Sequence, residues 1–574
     1  MNNIALEPKQ SQFLRISVGL VFGLILAFLI TGSEKIPHNI IQIWRPTLIA
    51  IFALSAFVFL AGLGNMRRIS LLAWGAIAML LIGIISHHAF SHSTRHSDFG
   101  EQNIFWILPF LFITHELVSS GDEANKIIAP YETYFDETWK RGVQLFLAIA
   151  FTGVFWAILW LGAALLKIIG LDWFEELLKE RYFAIPATFV AFASAVHLGD
   201  VQSKLLNNFR NLVLSVFSWL LPIIVLVAGI FSVSLIFTGL KPLWETKAAT
   251  ASLLAGCMFL VLLINAAYQN GDNELNPILK WSIRIASFET LVFAAIAGYS
   301  LYLRIDQYGL THERILALIG VIVANLYGVG YVASNFIGNT SYNFMPEIKN
   351  INIGMAFVKS ILFFAILTPI ADPSRLSVNS QVSMLLKGKT SPEKFDFRFL
   401  ARQSGKYGEE ALNKLTKNQN PQIVLLANKA IEENKNYDNY DAPEQKNLKS
   451  AEKIDPNNFN LIKGAKLPDS FVAQDIKNRT IILPNCMAYE KPEKKCDTIL
   501  IDLNNDKKDE IIIDGGSYLI LFYDTKDGWK SQSLYLSDSN IGLQNFKLGK
   551  VEAAKPEWNS LKVGDEILDI QTPN

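Results

Sequence analysis

From Phe13 to Ile370 the chain repeats one pattern, a long apolar run followed by a short polar link. The runs fall at 13–31, 46–63, 70–90, 104–119, 141–169, 183–198, 211–238, 249–268, 278–303, 313–335 and 351–370. A helix needs ~20 apolar residues to cross a bilayer. Most of these eleven runs reach that length, and 104–119 and 183–198 are the shortest. Few charges interrupt them. The pattern predicts an α-helical polytopic membrane protein of about eleven transmembrane helices, with the lipid bilayer as its surroundings. The run Phe13–Thr31 is too long for the apolar core of a signal peptide, and no small-residue cleavage pattern follows it, so it reads as a retained span. Leu171–Arg181 is amphipathic with aromatic anchors and is expected to lie along the membrane surface.

One link carries more signal than the others. Tyr299-Ser-Leu-Tyr-Leu-Arg-Ile-Asp-Gln-Tyr-Gly-Leu-Thr-His-Glu-Arg314 joins two runs through a tight helical hairpin. Gly309 can take the left-handed conformation that ends a helix. Thr311 is placed to cap the next helix, and Glu313 stands in its first turn where the dipole favours an acid. Arg304, Asp306, Tyr308 and Arg314 therefore read either as well-capped hairpin ends or as the border of a site.

After Asp372-Pro373 the periodicity changes. The expected organisation is a multispanning transmembrane domain over 1–372, a helical juxtamembrane segment over 373–440, a linker over 441–466 and a small β-rich soluble domain over 467–574. Ser391-Pro-Glu393 has the form of a helix start. Thr480-Ile-Ile-Leu, Thr498-Ile-Leu-Ile, Glu510-Ile-Ile-Ile, Tyr518-Leu-Ile-Leu-Phe-Tyr and Ser533-Leu-Tyr-Leu read as short strands, with turns such as Asp514-Gly-Gly between them.

Composition agrees with this division. Of 574 residues, 51% are hydrophobic and 18% charged. Residues 1–372 hold 23 basic and 23 acidic residues, and the shorter remainder holds 29 of each. With no net charge in either part, no nucleic-acid partner is implied. Basic residues are spread almost evenly over alternate loops, so the positive-inside rule does not fix orientation.

Several residues could carry chemistry. Ionisable groups inside spans are costly and are functional candidates by default. Glu289 lies about eleven residues into its run and Lys359 about eight into the last. Two parallel spans at similar depth suggest an ion pair, structural or part of a transport path. His115 and Glu116 end the fourth run, and His197 ends the sixth. His87, His88, His92 and His96 crowd one span end, with Asp98 nearby. Spacing of i, i+4, i+8 would stack three imidazoles on one helix face, for a metal such as Zn²⁺ or simply as polar rings among headgroups. In the tail, Asp502, Asn504, Asp506 and Glu510 alternate as oxygen ligands suited to Ca²⁺ do. The spacing resembles the calcium loops of propeller repeats, except that Lys507 stands where glycine is usual. A polar turn is the alternative. Cys486 and Cys496 could pair if the tail is in an oxidising compartment, and Cys257 reads as a buried hydrophobe. No nucleotide-binding, zinc-protease or hydrolase motif occurs in a plausible context, so an enzyme is not expected.

The segments Arg304-Ile-Asp-Gln-Tyr-Gly-Leu-Thr-His-Glu-Arg314, Leu376-Ser-Val-Asn-Ser-Gln-Val, Ser391-Pro-Glu-Lys-Phe-Asp-Phe397 and Gly405-Lys-Tyr-Gly408 resemble a bacterial inner-membrane family, domain of unknown function 4153. The resemblance covers the membrane part and the first part of the tail. It implies a permease-like inner-membrane location and fold, and assigns no catalytic residue. The functional expectation is a transporter-like permease for an unknown small molecule or ion. The alternative is a non-catalytic envelope scaffold whose tail binds a partner. An odd span count, the cysteine pair and the calcium-like loop together favour a periplasmic tail.

Overall fold

A computed structural model of the chain describes residues 8–32, 41–93, 99–246, 248–271, 274–338, 344–441, 453–474, 484–488, 495–515, 518–525, 528–534, 539–553, 561–563 and 566–568. The chain divides into two compact units, Met1–Asn434 and Lys435–Asn574.

The first unit is helical. Its membrane-length part comprises α1 (Pro8–Thr31), α2 (Ile41–Gly62), α3 (Arg68–His92), α4 (Phe99–Ala124), α5 (Tyr131–Ile168), α6 (Trp173–Lys179), α7 (Arg181–Val201), α8 (Ser203–Thr238), α9 (Lys241–Glu245), α10 (Ala249–Tyr268), α11 (Pro277–Tyr308), α12 (His312–Ser334) and α13 (Glu347–Ile366). Among the described residues, ten of these helices are long and apolar enough to cross a membrane. The remaining expected run, 104–119, lies within α4. The short α6 is the expected surface segment. Hydrogen bonds from Lys167 and then Lys179 hold the Glu175 carboxyl down at about 2.

Helices approach closely where glycine omits a side chain. A Cβ at Gly23 of α1 would stand 2.6 Å from Cα of Pro186 in α7. One at Gly328 of α12 would stand 2.7 Å from Cα of Leu291 in α11. Small residues at such crossings let dispersion contacts hold helices together where no hydrophobic effect is on offer. The largest apolar core joins α8, α10, α11 and α12 through Leu221, Leu260, Ile283, Ala294 and Tyr331.

The hairpin forms as expected. Gly309 has φ +71°, and Thr311 caps α12 by accepting from the Arg314 amide. Arg314 donates to the carbonyls of Tyr308 and Gly309 at 3.2 and 2.7 Å. Beyond α13 come α14 (Pro373–Leu386), α15 (Gly405–Leu415) and α16 (Pro421–Asp441). Gln381 of α14 donates to the Tyr308 and Leu310 carbonyls, both at 2.9 Å, and Ser380 Oγ accepts from the Leu310 amide at 2.9 Å. Lys389 pairs with Asp306 at 3.6 Å. Two of the segments that carry the family resemblance thus meet in space.

The expected helix start at Ser391 is a turn instead, with the Lys394 and Phe395 amides bonded to the Ser391 carbonyl. Phe395 and Phe397 are both buried and pack edge to face at 4.8 Å. Burying residues two apart is incompatible with helical periodicity. Asp396 caps the following helical turn by accepting from the Phe399 amide at 3.0 Å.

The second unit holds a five-stranded sheet in sequential order, β1 (Phe459–Lys463), β2 (Cys496–Ile501), β3 (Glu510–Asp514), β4 (Leu519–Thr525) and β5 (Gly528–Leu534), and a separate antiparallel pair, β6 (Leu561–Val563) and β7 (Glu566–Leu568). β1 runs parallel to β2 and the other pairs are antiparallel. β1 lies in the stretch expected to be linker. Its residues Phe-Asn-Leu-Ile-Lys hide among polar neighbours. Both faces are covered. Ile511, Ile513 and Phe522 face Phe471 and Trp529, while Ile499 and Ile512 face Phe546 of a short helix at Ser539–Lys547. The predicted run at Thr480 lies outside the described residues.

Candidate functional site

Glu289 and Lys359 do not form the expected pair. Lys359 Nζ lies 5.6 Å from the Tyr327 ring centre of α12. Glu289 faces α8 instead, where a Cβ built on Gly229 would stand 3.3 Å from its Oε1. Equal depth along two spans gives height in the bundle but says nothing of azimuth, and α12 packs between the two helices that carry them.

The structure gathers charge elsewhere. Glu116, in the C-terminal half of α4, contacts Arg141 of α5 at 3.3 Å. This is ion-pair range without the alignment of a hydrogen bond, so both Glu116 oxygens and Arg141 Nε lack hydrogen-bond partners. Arg141 also pairs with Glu137 at 3.3 Å, and Lys140 with Glu137 at 3.2 Å. Arg15 of α1, wholly buried, pairs with Asp200 of α7 at 2.6 Å and donates to the Leu63 carbonyl beyond the end of α2. Gln144, one turn beyond Arg141 on α5, donates to Asp200 at 2.8 Å and to the Val196 carbonyl at 2.7 Å. His115 Nδ1 accepts from the Trp74 indole at 3.1 Å, and its buried Nε2 has no partner.

The local sequence explains this convergence. The last carbonyls of α2 have no intrahelical donor, and the negative end of its dipole attracts guanidinium groups. The carbonyls of Ala61 and Leu63 meet Arg141 and Arg15 there. Glu137, Lys140, Arg141 and Gln144 follow helical three- and four-residue spacing along α5. A cavity of about 20 Å³, room for one water molecule, lies between Ala61, Glu116, Arg141 and Gln144.

Of the sequence candidates, only His115, Glu116 and the flanking His197 belong here. Glu137, Arg141 and Asp200 were missed because they stand at or beyond the ends of apolar runs and pass for loop charges, and Arg15 and Gln144 because each lies at the start of a run. In fact α5 begins ten residues before its apolar run, and the i, i+3, i+4 spacing was the available signal.

A second polar group links four helices without charge. Tyr131 donates to Asn265 at 3.5 Å, Asn265 to Tyr331 at 2.8 Å, Tyr331 to Asn352 at 2.7 Å, and Asn352 back to Tyr131 at 3.2 Å. The ring ties the start of α5 to α10, α12 and α13.

The His88 and His92 rings lie 4.6 Å apart, but each histidine is committed to a different neighbour. His87 stacks on Trp44 at 4.4 Å, His88 bonds Asp372 at 2.7 Å, and His92 stacks on Tyr407 at 4.8 Å. His96 and Asp98 lie outside the described residues. Asp372 also caps α14 through the Ser374 and Arg375 amides. Burial, with Asp372 beside it, raises the Tyr407 hydroxyl above its ordinary value. Among the described residues no three His, Cys, Asp or Glu side chains are grouped to hold a metal ion.

In the loop at Asp502, the carboxylates bond the chain itself. Asp502 accepts from the Asp506 and Lys507 amides, Asn504 Oδ1 from that of Asp506, and Glu510 from that of Leu503. Lys507 has φ +66°, the left-handed conformation usually given to glycine. Cys486 and Cys496 form a disulfide with Cα atoms 5.3 Å apart, and Cys257 is a buried free thiol.

No protein-family model, no curated protein and no solved structure matches the chain.

Proposed function

We propose that the chain is a transporter-like inner-membrane permease, and that the Glu116–Arg141 cluster, rather than a Glu289–Lys359 pair, is its ion- or proton-handling centre. One observation carries this reading. Glu116 is buried beside Arg141 and a water-sized cavity, yet neither of its oxygens has a hydrogen bond. Removing a charge from water costs several kcal/mol, and a purely structural ion pair repays that only with excellent geometry and full hydrogen bonding. Incomplete pairing suits a group that exchanges partners with a passing ion or water. The substrate is an unknown ion or small molecule.

The disulfide supports a tail in an oxidising compartment. Eleven crossings from α1 to α13, counting α4, would place the tail opposite the N-terminus, and with the N-terminus in the cytoplasm that side is the periplasm. The family resemblance is in keeping with this location. A thiol-reactive, membrane-impermeant reagent tests it. After reduction of whole cells with a permeant reductant, Cys486 should react from outside.

Function is tested in proteoliposomes loaded with a pH-sensitive dye, with an imposed potential and Na⁺, K⁺ or Cl⁻ supplied in turn. The wild type should move protons with at least one ion, and Glu116→Gln should not, while keeping the wild-type elution profile. Traces equal to those of empty liposomes for both proteins in every condition overturn the carrier reading and favour the envelope scaffold.

A further inference from the structure

We infer that Glu289 is a separate proton-binding site, a carboxyl that stays protonated in the apolar interface between α8 and α11. The argument does not depend on whether the Glu116 cluster moves ions. Glu289 is 6% exposed, and neither of its carboxyl oxygens has a hydrogen-bond partner among the described residues. It points at Gly229, where α8 offers no side chain. One turn further along α11, Phe293 packs edge-on against Phe231 of α8 at 5.7 Å. Val225 and Ala228 of α8 and Ala286, Phe293 and Ala294 of α11 belong to one buried apolar core.

Among the described residues no cation pairs with Glu289. α10 carries no charged residue. The charges of α8, Lys204 and Arg210, lie near its N-terminal end, and those of α12, Glu313 and Arg314, in its first turn. Lys280 and Arg284 of α11 itself stand by the Phe344 ring. Lys359 is held at Tyr327. The buried Cys257 thiol is committed to the Thr290 carbonyl at 3.6 Å. Tyr331 is enclosed in the neutral ring.

An ionised carboxylate without a partner in such surroundings is so costly that the group takes up a proton instead. Releasing that proton requires the α8–α11 contact to open to water. Pro222, inside α8 and two turns before Gly229, removes one backbone hydrogen bond and is the place where that helix can bend. Glu289 thereby couples proton occupancy to the packing of one helix.

The chemistry gives a direct test. A hydrophobic carbodiimide reacts with the protonated form. The carboxyl O–H adds across one C=N bond, with the oxygen bonding to the central carbon and the proton going to nitrogen. An oxygen-to-nitrogen acyl shift then leaves a stable N-acylurea, and nothing is lost. The detergent-purified full chain is treated with dicyclohexylcarbodiimide near neutral pH, and the peptide spanning Glu289 is analysed by mass spectrometry. The expected result is one adduct at Glu289, absent in Glu289→Gln. It should be absent with a water-soluble carbodiimide, and it should fall about tenfold per pH unit above the site's titration point.

Glu289→Gln replaces a neutral acid by a neutral amide and should keep the wild-type unfolding temperature. The labelling of the wild type needs no variant at all. Adducts confined to exposed carboxyls of the soluble tail, or Glu289 labelled only after denaturation, would overturn the inference. A Glu289 adduct together with silent proteoliposomes would leave this site standing while the carrier reading fell.

Discussion

Two buried polar groups in the helical unit solve the same problem in opposite ways. The ring of Tyr131, Asn265, Tyr331 and Asn352 is neutral, and each member donates to the next. The cluster of Arg15, Glu116, Glu137, Arg141 and Asp200 is charged and leaves several nitrogens and oxygens without hydrogen bonds. Both include α5, with Tyr131 and Arg141 about 15 Å apart along its axis. A closed neutral ring has nothing left to offer a ligand and serves to register four helices. An open charged cluster retains unused donors and acceptors, and those are what an ion or water would engage. A buried titratable group is therefore better judged by what its hydrogen bonds leave over than by its charge alone.

The sharpest way to break this comparison is to remove one charge. Arg141→Met leaves Glu116 without its ion-pair partner and leaves Glu137 only Lys140. Removing one partner of a buried pair costs about 3–5 kcal/mol. The unfolding midpoint in detergent should fall accordingly, and adding Glu116→Gln should restore part of the loss, because the stranded carboxylate is gone. Additive losses in the double variant would show that the two side chains do not interact, and the cluster would lose its centre.

The ring should respond less. Asn352→Leu deprives Tyr331 of its acceptor, Tyr131 of a donor and Asn265 Oδ1 of its 2.6 Å partner. Leaving such groups unsatisfied costs about 1–3 kcal/mol. Any ion flux measured for the wild type should survive in whatever protein still folds. A variant of normal stability with abolished flux would move the functional centre from the cluster to the ring.

How much of this was legible follows from what each signal encodes. Apolar runs and hairpin punctuation depend on local residues, so the helices and the turn at Gly309 could be read directly. Cys486 and Cys496 were readable because proximity in sequence brings them near in space. The surroundings of Glu289 and Lys359 were not, since helix rotation is set by neighbours such as Gly229 and Tyr327 that lie tens of residues away. Glu116 was found and Arg141 was not. The first interrupts an apolar run, whereas the second stands at the edge of one and passes for a loop charge. β1 escaped because a five-residue strand paired in parallel with a distant partner carries no hairpin signal.

The smallest expected effect isolates a single bond of the ring. Tyr331→Phe keeps the aromatic volume in the core and removes only the hydroxyl. Asn265 Nδ2 loses one acceptor but keeps the Val261 carbonyl at 2.8 Å. Asn352 Oδ1 loses its donor, although Asn352 Nδ2 still reaches Asn265 and Tyr131. Interhelical hydrogen bonds in membrane proteins average about 0.6 kcal/mol in double-mutant cycles. The unfolding midpoint should therefore move by only a degree or so, about 0.6 kcal/mol, and Tyr331→Phe combined with Asn352→Leu should cost less than the sum of the two, since they share one bond. Full additivity would mean that the two side chains act independently and that the ring is four separate contacts, removing the contrast with the cluster from which its structural role was argued.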